Sequence, residues 1–476
     1  MVAPHVVVFP FPAQGHVNGA MDLSRKLALL GVSITFVCTE AYISSMLKQG
    51  FDAGGLPIRL HGLADGLPKE KSMTDTLDQV DVLIRVTESM GPALQELLNK
   101  LNMNEDQGRV ACVVYDFMLW WVGRLGKELH IPAYIFYPMS TSFYSYLLHI
   151  PDFVSEGRLP LGPHTDLNDK SNMFKIPGFP SLHVSEVPDI SWDPNPVCSF
   201  AYVLRCAARW RDATGMLLNT VYELEKEVVD GLMEKAPELD IKAVGPILPA
   251  SFLRGESSMS KELAESADAQ RCLKWLDEQP ETSVLYVAFG TIACLSEAQA
   301  QELAMGLEAS KERFLWVIRN PDPQQKGEER TQLLPSGFEK RTEGRGVVLW
   351  ELAPQRKILA HRAIGGFLTH CGWNSTLEAL CKGVPMLCCP MFADQGMNGR
   401  WVEEMVHTGE LLKREGENSI VSRNEVERMT REVISRASPL RSSAARIQDV
   451  ACHAALNATG SSCKNLQAFV KTLFPG

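Results

Sequence analysis

The stretch Leu352–Gln395 concentrates side chains suited to holding a sugar joined to a nucleotide diphosphate. An apolar run, Gly365-Gly366-Phe367-Leu368-Thr369, ends at His370, and Cys371-Gly372-Trp373-Asn374-Ser375 then turns into a helix reading Thr376-Leu377-Glu378. The amides and positive dipole end of a helix start, with the side-chain donors of Asn374 and Ser375, make a diphosphate cradle that needs neither metal nor lysine. Glu378 follows Asn374 by one helical turn on the same face, where a carboxylate can accept from ribose hydroxyls. Asp394 and Gln395 close the stretch, and an acid beside an amide suits the vicinal hydroxyls of a sugar. Singly, each has an ordinary explanation. Asn374-Ser375 is a common helix cap, Trp373 a core residue, Asp394-Gln395 a solvated turn. The ordered set carries the reading.

A second chemical pair lies near the N-terminus. His16 follows the apolar run His5–Phe9 and the turn Pro10-Phe-Pro-Ala-Gln-Gly, and Asp116 ends the run Val110–Tyr115. Both runs read as buried strands, so both residues are expected outside strand carboxyl ends, where open α/β sheets place ligands. His16 alone could equally be a capping or core histidine.

These side chains need parallel sheets covered by helices. The first strand is followed by a helix expected from about Asn18, its N-cap, to Gly31, then a strand at Ser33–Cys38. Next come a helix near Asp75–Leu101, a helix near Trp120–Leu129 and a strand at Ala133–Tyr137. Residues 150–200 read as an irregular excursion of the kind that shapes a substrate entrance. Strands at Met216–Thr220 and Ile241–Gly245 complete the first half, and Pro246–Asp268 reads as a linker. The second half opens with a helix at Cys272–Asp277, strands at Ser283–Phe289, Phe314–Ile318 and Gly346–Trp350, and a helix at Ser296–Ser310. Helices at Asn398–Val406, Arg423–Arg436, Pro439–Leu456 and Ser461–Leu473 follow. The expected domains are 1–247, 248–458 and a terminal segment 459–476 whose helix packs back on the first.

Composition narrows the function classes. A chain of 476 residues is long enough for two cores, and 45% apolar with 22% charged residues is ordinary for a globular protein. A formal charge of -10 excludes the basic stripe of a nucleic-acid binder. The 12 cysteines include no CxxC pair, so reduced thiols in a cytoplasmic protein are expected rather than structural zinc. No apolar run is long enough for a membrane span, and the N-terminus lacks a signal-peptide pattern. A GxGxxG turn after the first strand and a GxSxG turn are both absent, which argues against a Rossmann oxidoreductase and a serine hydrolase.

The whole pattern resembles the plant-type UDP-sugar-dependent glycosyltransferases of family 1. Leu352–Gln395 matches their signature stretch in length and order, and FPFPAQGHVN, LLNTVYELE, VGPILP, CLKWLDEQP and VLYVAFGT match further landmarks. The resemblance implies an α/β protein of two Rossmann-like domains facing a cleft, the GT-B fold, with acceptor binding in the first domain and UDP-sugar binding in the second. It implies that His16 is the general base and Asp116 its orienting partner. Thr291, His370, Asn374 and Ser375 would hold the diphosphate, with Gly372 a further UDP-sugar-binding residue. Leu352, Ala353 and Gln355 would surround the uridine, Glu378 the ribose, and Trp373, Asp394, Gln395 and Thr141 the sugar. Gln395 is associated with glucose.

The implied reaction is an inverting displacement of UDP by a hydroxyl of a small lipophilic acceptor, such as a flavonoid, another phenolic or a terpenoid. Attack by nitrogen, sulfur or carbon stays open, as does a sugar-nucleotide-binding pseudo-enzyme. No Asp-x-Asp motif is present, in line with a metal-independent enzyme without cofactor, expected as a monomer. Phe117, Trp120, Trp121, Phe143 and Tyr144 are candidate acceptor contacts or, equally, core.

Two positions depart from the family. Leu352 stands where a tryptophan stacks on uracil, with Trp350 two residues earlier as a possible substitute. Gly19 stands where proline usually opens the first helix, so a more mobile loop around His16 is expected.

Overall fold

The computed structural model describes residues 3–64, 80–103, 109–193, 200–256, 267–290, 295–318, 333–350, 353–415 and 420–474. The chain divides into two compact units, Met1–Pro249 with His453–Gly476, and Ala250–Cys452.

The first unit is built on strands β1 (His5–Phe9), β2 (Ser33–Thr39), β3 (Ile58–Leu63), β4 (Val110–Asp116) and β5 (Ala133–Tyr137). A small antiparallel hairpin, β6 (Met173–Ile176) and β7 (Phe179–His183), stands apart, and β8 (Gly215–Leu218) and β9 (Asp240–Ala243) complete the main sheet. Its order is β3-β2-β1-β4-β5-β8-β9, with every pair parallel. β1 is buried at every position, as helix cover on both faces requires. Strand order reverses between β1 and β4, which opens a crevice at their carboxyl ends. The helix Ser461–Thr472 packs on this sheet through Leu466, Phe469 and Val470, with Phe469 edge-on to Tyr134 at 4.9 Å. Asn465 also donates to the Ala243 carbonyl at 2.8 Å.

The second unit has β10 (Val284–Ala288), β11 (Arg313–Val317), β12 (Gly346–Leu349), β13 (Ile364–Thr369), β14 (Met386–Cys388) and β15 (Gly409–Leu411). Their order is β12-β11-β10-β13-β14-β15, again all parallel, and the reversal falls between β10 and β13. A two-stranded ribbon, β16 (Arg414–Glu415) and β17 (Ile420–Val421), follows.

Several expected boundaries move. The first helix begins at Gln14, not Asn18, and Ala13 caps it without a side-chain bond. The apolar stripe of Val17, Ala20, Met21, Leu27 and Ala28 needs its first turn upstream of Val17, which leaves Asn18 exposed on the outer side. Gly19 is therefore inside the helix and buried, not at its first position, and does not loosen a loop. The single helix expected at Asp75–Leu101 is two, Val80–Ser89 and Gly91–Met103, because Pro92 in the second lacks the amide needed to run on. Residues 75–79 lie outside the described residues, as do residues 257–266 of the expected linker.

The strand β3 was not anticipated, and the excursion at 150–200 contains the β6–β7 hairpin. The helix Ala250–Arg254 sits inside the expected linker. The helix expected at Asn398–Val406 starts at Gln395, runs to Arg400 and continues as a π-turn through Met405.

Candidate functional site

His16 sits in the first turn of the helix Gln14–Leu29, not in a loop, directly beyond β1. Asp116 is the last residue of β4, the neighbouring strand across the reversal. The His16 Nδ1 and Asp116 Oδ2 atoms are 2.7 Å apart, with the carboxylate 2% and the imidazole 20% exposed. The other Asp116 oxygen, Oδ1, accepts from the Met118 amide at 2.9 Å. Both oxygens are thus committed, and the carboxylate plane is fixed. Phe11 stands edge-on to the imidazole at 5.6 Å. A carboxylate at Nδ1 sets the tautomer with the proton on Nδ1 and the basic lone pair on Nε2.

Thr141 opens the buried helix Thr141–Ser155 in the same unit. Its amide donates to Glu225 Oε2 at 3.0 Å, while its hydroxyl is buried with no hydrogen-bond partner among the described residues. The aromatic acceptor candidates turn out differently. Phe117, Phe143 and Tyr144 are core residues at 3% exposure or less, with Phe117 edge-on to Tyr137 and Tyr144. Trp120 is engaged by Glu88 through its Nε1 at 3.1 Å and lies under Arg205, and Trp121 packs edge-on to Phe9. Aromatic spacing alone did not separate core from pocket.

In the second unit, His370 follows β13 and Gly290 follows β10, at the sheet's reversal. The imidazole is wedged between two glycines. A Cβ on Gly290 would lie 2.7 Å, and one on Gly372 2.5 Å, from His370 Nε2. Cys371, between His370 and Gly372 in the chain, takes a left-handed φ of 65°, a conformation costly for a residue with a side chain. Among the described residues His370 Nδ1 is buried without a partner, and burial pulls the imidazole down to about 4, so the ring is neutral at pH 7.

That shift predicts a pH effect. Between about 4 and the ordinary 6.5, the unfolded chain binds a proton that folded His370 refuses. Stability is therefore lost as pH falls through this window and levels off below it. Denaturant melts at pH 7 and pH 4.5 should show a fall about 2 kcal/mol smaller in His370→Gln than in the parent.

The helix Trp373–Leu380 starts at Gly372, which provides no side-chain cap, so Asn374 and Ser375 are not cap residues but lie within its first turn. The Trp373 indole is 3% exposed and edge-on to Trp401 at 5.2 Å, so its ring belongs to the core. Gln355 opens the helix Gln355–Leu359, just after Ala353, whose carbonyl accepts from the Gln355 amide. Gln355 Nε2 donates to Ser375 Oγ at 2.9 Å and to Glu378 Oε2 at 2.8 Å. Arg356 Nε donates to Glu378 Oε1 at 2.7 Å, a pair with 18% and 8% exposure.

Asp394 and Gln395 are both 4% exposed, which excludes the solvated turn. Asp394 Oδ2 accepts from Asn398 Nδ2 at 2.6 Å, and Asn398 also donates to the Cys371 carbonyl at 2.9 Å. Gln395 Oε1 accepts from the Met391 and Phe392 amides, at 2.8 and 3.1 Å, which sets the direction of its amide. Trp350 is partly buried against this unit's core. Thr291 and Leu352 lie outside the described residues.

The family model "UDP-glucoronosyl and UDP-glucosyl transferase" matches residues 64–438. The chain belongs to this family. It is a UDP-glycosyltransferase with the GT-B fold. It is 35% identical to UDP-glycosyltransferase 85A1 of Arabidopsis thaliana, over 99% of this chain and 97% of that one. It is 32% identical to the mogroside I-E synthase of Siraitia grosvenorii, over 98% of each. Among solved structures it is similar to a UDP-glucosyltransferase from Polygonum tinctorium capable of glucosylating indoxyl, in a complex with 3,4-dichloroaniline. That match has 28% identity, a TM-score of 0.82 and 100% coverage of both chains.

Two partners in this UDP-glycosyltransferase escaped the sequence reading. Asn398 was legible in part, since it follows Asp394 by one helical turn. Arg356 was not, because its pairing needs the helix Gln355–Leu359 laid against the Trp373 helix. Among the described residues of the glycosyltransferase, no group of three or more His, Cys, Asp or Glu is arranged to hold a metal ion, and no helix is long and apolar enough to cross a membrane.

Proposed function

We propose that the protein transfers glucose from UDP-glucose to a hydroxyl of a small lipophilic acceptor, with inversion and without a metal ion. The observation that carries this is the 2.7 Å His16–Asp116 pair at the reversal of the first sheet, in a chain of this family. A hydroxyl is a weak nucleophile at neutral pH and needs a positioned base. In this reading the acceptor's proton passes to His16 Nε2 as its oxygen attacks the anomeric carbon. Asp116 stabilises the imidazolium that results.

UDP leaves from the opposite face, so this single in-line displacement inverts the anomeric carbon, through an oxocarbenium-like transition state. The departing diphosphate gains charge at His370, Gly372, Asn374, Ser375 and Thr291. His370 serves as a neutral N–H donor, since its burial opposes protonation. Leu352, Ala353 and Gln355 take the uridine, Glu378 the ribose, and Trp373, Asp394, Gln395 and Thr141 the sugar. Trp373 does so through its main chain, since its ring is occupied by Trp401. Glucose is favoured by Gln395 and by the glucosyl activity of the Polygonum enzyme, whose indoxyl is a small lipophilic acceptor of the proposed kind.

The finer points have a direct test. Incubation with UDP-glucose, a phenolic acceptor and excess EDTA should give a β-glucoside by the anomeric proton coupling in NMR. An α-glucoside, or loss of turnover in EDTA restored by a divalent cation, would overturn inversion or metal independence respectively.

Gly372→Ala tests the His370 assignment. The Gly372 backbone, φ -59° and ψ 137°, accepts alanine, so the clash with His370 is the main cost. Displacing one donor should weaken UDP binding about tenfold by calorimetry. Unchanged affinity would remove His370 from the diphosphate site.

A further inference from the structure

The start of the helix Thr141–Ser155 is closed by a carboxylate from far along the chain. Glu225 is 1% exposed and immediately precedes the helix Lys226–Lys235. Its Oε2 accepts from the Thr141 amide at 3.0 Å, and its Oε1 accepts from the Ser142 amide at 2.8 Å and the Ser142 hydroxyl at 2.6 Å. Among the described residues it makes no ion pair, so these donors and the helix dipole hold the buried charge.

Capping alone does not require this. Ser140 already accepts from the Phe143 amide through its side chain at 3.3 Å and from the Tyr144 amide through its carbonyl at 3.1 Å. What Glu225 adds is a fixed place for residues 141 and 142. Thr141 then carries a buried hydroxyl with no partner among the described residues. Such a group is costly unless something else completes it.

We infer that Glu225 is a positioning residue for sugar transfer, fixing the Thr141 backbone so that the Thr141 hydroxyl is presented to the sugar of the donor. This rests on the proposed contact between Thr141 and the sugar. It assigns a role to a residue 84 positions away that touches no substrate.

The chemistry of glutamine makes the test selective. In Glu225→Gln the two Ser142 donors keep the amide oxygen on their side, which turns the NH₂ group against the Thr141 N–H, donor to donor. Parent, Thr141→Ala, Glu225→Gln and the double variant are compared for kcat, KM for UDP-glucose and inhibition by UDP. Thr141→Ala should lower kcat/KM about three- to tenfold, the worth of one hydrogen bond. Glu225→Gln should lose a similar factor with UDP inhibition unchanged, and the double variant should be no worse than Thr141→Ala alone.

Glu225→Asp, which withdraws the carboxylate by one methylene and keeps its charge, is the second variant and should show the same coupling. Near-parent kinetics for Glu225→Gln beside an impaired Thr141→Ala would overturn the inference. So would a double variant whose loss is the product of the two, or a parallel loss of UDP inhibition, the mark of a merely structural role. Parent kinetics for Thr141→Ala would instead overturn the sugar contact itself, and the inference with it.

Discussion

Asparagine at position 116 should cut kcat on the order of 10³- to 10⁴-fold while KM for UDP-glucose and the melting temperature stay near the parent's. The reason is the Met118 amide. It donates to Asp116 Oδ1, so an asparagine there keeps its oxygen on that side and places its NH₂ where Oδ2 was. The NH₂ then donates to His16 Nδ1 and drives the imidazole proton onto Nε2, the atom proposed to take the acceptor's proton. The fold is barely disturbed, because shape and burial are kept, but the base carries the wrong tautomer. His16→Ala should lose at least as much. Steady-state kinetics with UDP-glucose and a phenol, beside a thermal melt, would check both. A loss below tenfold in Asp116→Asn would mean that His16 is not the base.

Glu378→Ala should raise KM for UDP-glucose about 10²-fold with a much smaller change in kcat. Glu378 is engaged on both oxygens, by Arg356 and Gln355, so it is held in place before any ribose arrives. Its removal deletes the proposed ribose acceptor and frees Gln355, which also holds Ser375. It also removes the 2.7 Å pairing of Glu378 with the Arg356 guanidinium. Arg356→Ala should reproduce part of the KM effect, about tenfold, with kcat unchanged, because the ribose carboxylate stays but loses its anchor. Calorimetric titration with UDP separates the two. Equal kcat losses in both variants would place the network in the chemical step and not in donor binding.

The local chemistry of both units was legible because it lies in continuous runs. β1, β4, β10 and β13 are apolar segments whose ends carry His16, Asp116, Gly290 and His370, and a parallel sheet brings such ends to one edge. The phase of the first helix was misjudged because Asn18 resembles a cap, whereas the buried stripe beginning at Val17 sets the true start. What stayed hidden depends on packing between elements far apart in the chain. Arg356 meets Glu378 and Glu225 meets Thr141 only once helices are laid side by side. The aromatic cluster around Phe117 and Tyr144 has the same composition whether it lines a pocket or fills a core, and only its burial decides for the core.

The central claim, sugar transfer from UDP-glucose to a hydroxyl with His16 as base, is most directly tested by mass spectrometry. Parent protein and His16→Ala are each incubated with UDP-glucose and a panel of flavonoids, simple phenols and terpenoids. The account predicts products heavier by one hexose with the parent and none above background with His16→Ala. A parent that binds UDP-glucose yet glycosylates nothing in the panel, or a variant that forms product at the parent's rate, would contradict it.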